Sequence, residues 1–380
     1  MRNQSKVLTK RAMISACLIM IVNGCASKTH HELPSLKQAF KNSFYIGAAL
    51  NQNQLMGREK KSMDLVKRQF SSITPEDILK WSLVHPEPGK YNFAPVDSFV
   101  AFGERNEMFI IGHNLVWHNQ IPEWVFKDDS GNLVNRETLL QRMHDHIFTV
   151  VGRYKGRING WDVVNEAIED DGQLRKSKWL EIIGEDYLQK AFEWAHEADP
   201  STELYYNDYN MWYAGKREGV VRIIGDLLAK GVPVHGIGMQ GHWGLDYPPS
   251  KELEASINTY SKLGVKVMIT ELDLDILPKA GSNTGTDITM NKGLQKKLNP
   301  YADGLPDSIQ EKLMARYAEL FSILDKHRDK IARVTFWGVH DGVSWLNHSS
   351  IRGRTAYPLL FDRKLQPKPA FDAVLKTAGK

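Results

Sequence analysis

Short apolar runs and longer amphipathic stretches alternate along almost the whole chain. The runs are rich in β-branched and aromatic residues and end in turn formers, the pattern of strands buried on both faces. Eight stand out, at 44–50, 71–75, 109–117, 160–166, 203–210, 236–243, 266–273 and 333–340. Between them, apolar residues recur every three or four positions, as in 137–151, 187–198, 216–229 and 308–327, which predicts helices with one buried face. Eight strand–helix units in one chain predict an α/β fold, a closed (β/α)8 TIM barrel forming a single domain over 35–380. The runner-up is an open doubly wound sheet. That fold would carry a glycine-rich phosphate loop after its first strand. Here the first strand ends in Gly47-Ala48-Ala49-Leu50-Asn51-Gln52, which is no such loop.

The first residues break the pattern. Arg2, Lys6, Lys10 and Arg11 precede an apolar run at 12–22, and Asn23-Gly24-Cys25 follows. A basic start, a short apolar stretch and small residues before a break make an export signal. Val22-Asn23-Gly24-Cys25 resembles a bacterial lipobox, so 1–24 reads as a lipoprotein signal peptide, Cys25 as the lipidated residue and 25–34 as a polar tether. An ordinary cleaved signal with a chance cysteine is the alternative. Asn23 is an unusual residue within the motif. Ala26 after the cysteine favours the outer membrane of a Gram-negative bacterium. Removing 1–24 cancels the formal charge of +4, so the basic balance of the whole chain gives no reason to expect a nucleic-acid partner. Cys17 leaves with the signal, Cys25 stands alone, and the exported protein, expected to be a monomer, must rely on its core rather than a disulfide.

The chemistry-bearing residues collect in one place. His113, Trp117, Asn165, Glu166, Asn207, Gln240, His242, Glu271, Asp273 and Trp337 lie at or just past the predicted strand ends. A barrel builds its site at that face, from several strands. Polar residues that merely mark strand ends would explain one or two of these positions, not ionisable and aromatic side chains at six ends together. The fourth strand delivers Trp161-Asp162-Val163-Val164-Asn165-Glu166, and the seventh delivers Val267-Met268-Ile269-Thr270-Glu271-Leu272-Asp273. Two carboxylates on opposite sides of a barrel mouth are the equipment of glycoside hydrolysis, in which one protonates the leaving oxygen and the other attacks carbon or activates water.

Over nearly the whole chain after the signal, the sequence resembles glycoside hydrolase family ten, the xylanase family. The matching motifs are Thr74-Pro75-Glu76 with Lys80-Trp81, Gly112-His113-Asn114-Leu115-Val116-Trp117-His118, the fourth-strand motif, Asn207-Asp208-Tyr209-Asn210, Gln240-Gly241-His242, Thr270-Glu271-Leu272-Asp273 and Phe336-Trp337-Gly338. The resemblance implies an endo-acting, retaining β-1,4-xylanase with no cofactor or metal, whose partners are xylan and xylo-oligosaccharides. It implies that Glu166 is the acid/base and Glu271 the nucleophile, with Asn165 on the sugar 2-hydroxyl and His242 and Asp273 orienting Glu271. Glu76, Lys80, His113, Asn207 and Gln240 would bind substrate, Trp117, Trp337 and Trp345 would wall the cleft, and Gln120 with Trp345 would crowd carbon five of the sugar.

One position departs from the family pattern. Asp77 stands where the family usually has asparagine, so an acceptor replaces a donor and binding of the more distant non-reducing sugar is expected to change. The polar stretch 278–306 is long for a barrel loop and could extend the product side. Its Asn283, Asp287 and Asn291 fit no calcium motif, and a solvated loop is the simpler reading. Two other functions stay in view: a barrel hydrolase acting on cellulose or mannan, and a non-catalytic glycan-binding lipoprotein. The first would lack this combination of Lys80, the His113–His118 stretch and Gln240-Gly241-His242. The second would need neither glutamate.

Overall fold

Eight parallel strands close on themselves in the computed structural model of the chain. The structure describes Met1 and residues 34–279, 296–349 and 353–379. The expected signal beyond Met1, Cys25, nearly all of the tether, and Asn283, Asp287 and Asn291 lie outside the described residues. Residues Pro34–Lys380 form one compact unit.

The strands are β1 (Tyr45–Leu50), β2 (Ser72–Pro75), β3 (Phe109–Val116), β4 (Gly160–Asn165), β5 (Glu203–Asp208), β6 (Gly236–Met239), β7 (His242–Gly244), β8 (Lys266–Asp275) and β9 (Ile331–Phe336). The barrel runs β1-β2-β3-β4-β5-β6-β8-β9 and returns to β1, each neighbour parallel. The β7 strand is an addition, paired among the described residues with the far end of β8, through His242↔Asp273 and Trp243↔Leu274. The single strand expected at 236–243 is therefore two. Gly241, at φ 86, breaks it, because only a residue without Cβ takes that turn cheaply. The last strand also ends earlier than expected, at Phe336, and Trp337–His340 belong to the loop beyond it.

Helices cover the outside. Asp307–Lys326 buries Leu313, Tyr317, Leu320, Phe321 and Leu324 at spacings of three and four, which turns one face to the sheet. Arg136–Arg153 starts on an Asn135 side chain that accepts from Thr138 N, which satisfies an otherwise orphaned amide. Inside the barrel, Ile111, Tyr205 and Met268 pack together. Fully buried Arg333 crosses that interior, with Nη1 3.1 Å from Thr335 Oγ1 and its guanidinium 5.9 Å from the Tyr205 ring centre. Burial lowers its pKa, opposed by Asp162 first among the nearby charges. Among the described residues no helix is long and apolar enough to cross a membrane.

The ladder is irregular near its C-terminal rim. Register shifts fall between His113 and Val116, between Asp162 and Val164, and between Ile269 and Leu272. Such irregularities re-aim side chains. They sit within a few residues of His113, Glu166 and Glu271.

Candidate active site

The rim opens into a cavity of about 670 Å³. Glu76, Lys80, His113, Trp117, Gln120, Asn165, Glu166, Gln240, His242, Glu271, Trp337 and Trp345 all line it, so the structure gathers there nearly every residue singled out from the sequence. Asn207 and Asp273 do not line it. Both are buried beneath it, where they hold the residues that do. Two larger hollows, of about 810 and 880 Å³, contain neither glutamate.

Glu271 points inward from within β8, and its side chain is 6 % exposed. Asn207 Nδ2 donates to its Oε1 at 2.8 Å, and His242 Nε2 stands 3.2 Å from its Oε2. Burial by itself would raise the pKa of this carboxyl. The His242 hydrogen bond, the nearby His113 and the Asn207 amide outweigh it and hold the group below the ordinary carboxyl range. On its other side, His242 Nδ1 lies 3.0 Å from Asp273 Oδ1, an ionic contact off the line of a hydrogen bond. Burial opposes charge on the imidazole, but the Asp273 carboxylate first, and then Glu271, push its pKa up to about 10. Asp273 Oδ2 also accepts from Trp345 Nε1 at 2.7 Å, so one buried carboxylate orients both the histidine and the cleft tryptophan.

Glu166 is the first residue past β4 and sits at φ 58, a left-handed conformation that costs a non-glycine residue about 1–3 kcal/mol. Its N–H donates to Asn207 O at 2.8 Å and its carbonyl accepts from Arg175 Nε at 2.7 Å, which hold the turn. The side chain, 14 % exposed, accepts from Trp117 Nε1 and from Gln240 Nε2, each at 2.9 Å. Its nearest imidazole, His118 Nδ1, stays 3.9 Å away.

The two glutamates are tied by a crossed pattern. Asn207 accepts from the Glu166 backbone and donates through its side chain to Glu271. Gln240 accepts from the Glu271 backbone at 2.6 Å and donates through its side chain to Glu166. Asn165 lies between them, its amide 2.9 Å from Asn207 Nδ2. Gly238 makes the arrangement possible, since a Cβ there would stand 2.4 Å from Asn207 Oδ1.

At the β2 side, His113 Nδ1 is 2.8 Å from buried Asp162 Oδ2, and the His113 ring meets Trp337 edge-on at 5.3 Å. Lys80 Nζ lies 5.2 Å from the Trp117 ring centre. Glu76 is pushed up to about 7 by burial and then by Asp77, with Lys80 opposing. Burial also raises Asp77, and its Oδ1 is enclosed with no hydrogen-bond partner among the described residues. Trp345 is 39 % exposed at the rim.

Sequence reasoning missed Arg175, Asp162, Tyr209 and Lys279. Tyr209 and Lys279 line the cavity, and Arg175 Nη2 donates to the Tyr209 hydroxyl at 2.6 Å. Tyr209 was visible within a quoted motif. Arg175 lies in a loop whose course the hydrophobic pattern does not reveal.

Comparison with known proteins places the chain in a family and agrees in fold. The sequence profile described as glycosyl hydrolase family 10 matches residues 35–377. Endo-1,4-beta-xylanase A of Xylanibacter ruminicola is 42% identical over 366 residues, 96% of this chain and 99% of that protein. An endo-1,4-beta-xylanase of Geobacillus stearothermophilus is 41% identical over 346 residues, 89% of this chain and 97% of its own. The solved structure of a GH10 endoxylanase from a sugarcane soil metagenome superposes with a TM-score of 0.85 at 45% identity, covering 90% of this chain and 98% of that one.

Proposed function

The chain belongs to glycosyl hydrolase family 10, and from that premise we propose that it is an endo-1,4-β-xylanase that cleaves xylan with retention of configuration. Glu271 attacks the anomeric carbon while Glu166 protonates the departing oxygen. The bond to the leaving sugar breaks and a glycosyl ester forms. Water, deprotonated by Glu166, then attacks the same carbon, and the second inversion restores the original configuration. Asn165 faces the sugar 2-hydroxyl, a contact that tightens as positive charge spreads over the ring. Glu76, Lys80 and His113 take the sugar at the cleavage site and its non-reducing neighbour, and Gln120 and Trp345 leave no room for a hydroxymethyl group at carbon five.

The crossed hydrogen bonding is the observation that carries this reading. It keeps both carboxylates aimed at one cavity while giving one a histidine and the other only neutral donors. A binding protein would have no use for that asymmetry. The test is the stereochemistry of azide rescue. On an aryl xylobioside with an activated leaving group, Glu166→Ala still forms the glycosyl-enzyme, and azide in place of water gives the β-azide. In Glu271→Ala, azide enters the emptied nucleophile position and gives the α-azide. Swapped products would reverse the roles.

We also propose that export is followed by lipidation of Cys25 and attachment to the outer membrane of a Gram-negative cell. Cys25→Ser should then release the enzyme from membranes and abolish lipid labelling. A wild-type protein that fractionates as freely soluble would refute the anchor.

A further inference from the structure

The end of the barrel opposite the cleft has a character of its own. The compact unit begins there. Pro34 O accepts from Gln69 Nε2 at 3.2 Å, Leu36 N donates to Gln69 Oε1 at 2.9 Å, and Ser35 Oγ donates to Arg68 O at 2.7 Å. Arg68 and Gln69 lie at the end of the helix Lys60–Gln69, which leads into β2, so residues 34–36 sit where the strands start. That end is basic. The segments leading from each helix into the next barrel strand expose Lys41, Lys155, Arg157, Lys230, Lys262 and Arg328, against Glu107 and Asp329. Two further charged residues of these segments, Asp199 and Lys330, serve Gly156 N and Asn258 Oδ1. Arg157 and Arg328 have carboxylate partners in Glu104 and Asp325. The four lysines have no ion-pair partner among the described residues. The formal charge of +4 belongs to Arg2, Lys6, Lys10 and Arg11, and Lys28 cancels Glu32, so residues 35–380 are formally neutral. The basic end is therefore an asymmetry of the barrel and not a share of a general excess.

A lysine just past a helix C-terminus also meets the negative end of the helix dipole, which accounts for some of these positions. It does not account for an exposed ring at the strand ends that the segments feed. Tyr45, the first residue of β1, is 47 % exposed, and its ring centre lies 4.9 Å from that of Phe109, the first residue of β3. An amphipathic ring among lysines is the composition of a surface seated at a membrane interface, with the ring at headgroup depth and the ammonium groups on phosphates. We propose that this end of the barrel docks on anionic phospholipid headgroups and holds the cleft facing away from the membrane. The proposal extends the lipid-anchor reading. Acyl chains on Cys25 would retain the protein, and the nine residues from Cys25 to Pro34 span at most about 30 Å. The basic face would then decide which way the barrel sits.

Vesicle sedimentation of the mature Cys25→Ser protein tests the face without any acyl chain, so it decides the matter even if the wild type proves unlipidated. The protein should sediment with vesicles of phosphatidylethanolamine and phosphatidylglycerol at low salt, leave them as salt rises, and ignore phosphatidylcholine vesicles. Each of Lys41→Gln, Lys155→Gln, Lys230→Gln and Lys262→Gln should lower partitioning about 5-fold. Hydrolysis of xylo-oligosaccharides in solution should stay at the wild-type rate in the combined variant, which certifies its fold. On the phosphatidylglycerol vesicles, a fluorophore at Glu107→Cys should be quenched by a lipid carrying a nitroxide headgroup, and one at Asp129→Cys, beyond β3 at the cleft end, should not. Absence of binding at low salt, equal binding to both kinds of vesicle, or binding undiminished in the combined variant would overturn the docking face. Stronger quenching at Asp129→Cys would overturn the orientation, and tighter binding to duplex DNA than to the vesicles at the same salt would overturn the choice of lipid.

Discussion

The two glutamates stand over one cavity and differ in almost every respect. Glu271 lies inside a strand, is 6 % exposed, and faces a histidine backed by a second carboxylate. Glu166 lies one residue beyond a strand in a left-handed turn, is 14 % exposed, and among the described residues accepts from an indole and an amide. A charged neighbour and a rigid strand suit a group that must stay anionic and aimed. Neutral donors and greater access to solvent suit a group that must give up a proton and take one back. Identical side chains thus receive different surroundings, which is what the proposed division of labour requires.

Removing the carboxylates breaks this comparison most severely. Glu271→Ala should cost about 10⁵- to 10⁶-fold in kcat on every substrate, as loss of a nucleophile does. Glu166→Ala should cost about 10²- to 10⁴-fold on xylan, the usual range for a general acid, yet spare the first step with an activated aryl leaving group. Steady-state and burst kinetics on the two substrates would check both. Equal losses everywhere would mean that the environments do not divide the labour.

His242→Asn should come next, lowering kcat/KM about 10- to 100-fold by removing a charge-assisted donor. Glu271 is held low partly by His242, so the acid limb of the pH profile should move up in the variant. The sign for stability is set by the imidazole. Its pKa rises from 6.5 to about 10 on folding, so its stabilisation is complete below pH 6.5 and is lost as pH climbs through about 10. Thermal melts across that window should fall more steeply for the wild type than for His242→Asn, and parallel curves would contradict the assignment.

Trp345→Ala should shift the ratio of glucoside to xyloside hydrolysis by about 10- to 200-fold, the range for relieving one methylene-sized clash. An unchanged ratio would place selectivity elsewhere. The smallest effect should come from Trp117→Phe, which keeps the cleft wall and removes one hydrogen bond to Glu166. A loss of about 2- to 10-fold on xylan is expected, and it should be weaker on an activated aryl substrate. An equal loss on both would show that the indole N–H serves the cavity shape rather than Glu166.

Much of the architecture was legible in one dimension. Residues 160–166 and 266–273 are apolar runs that end in polar residues, and each became a barrel strand with its polar residues at the rim. Strand breaks were not legible. The run 236–243 reads as one strand because side-chain pattern records burial, and both β6 and β7 are largely buried. The turn at Gly241 depends on backbone torsion, which a glycine permits but does not announce. Asn207 was expected to touch substrate. Its position at the end of β5 was right, but its neighbour Asn165 and the space left by Gly238 place it underneath the cavity.

The sequence by itself determined the eight strands of the barrel and the rim position of its polar residues, Glu166 and Glu271 among them, because each is written in local periodicity and residue type. Only the tertiary structure decided what each carboxylate can do. The protonation preference of Glu271 and the neutral setting of Glu166 come from His242, Asp273, Asn207 and Gln240, which other strands and loops bring within about 3 Å of their partners. Electrostatic and hydrogen-bonding energies depend on distance through space and on the surrounding medium, neither of which spacing along the chain specifies.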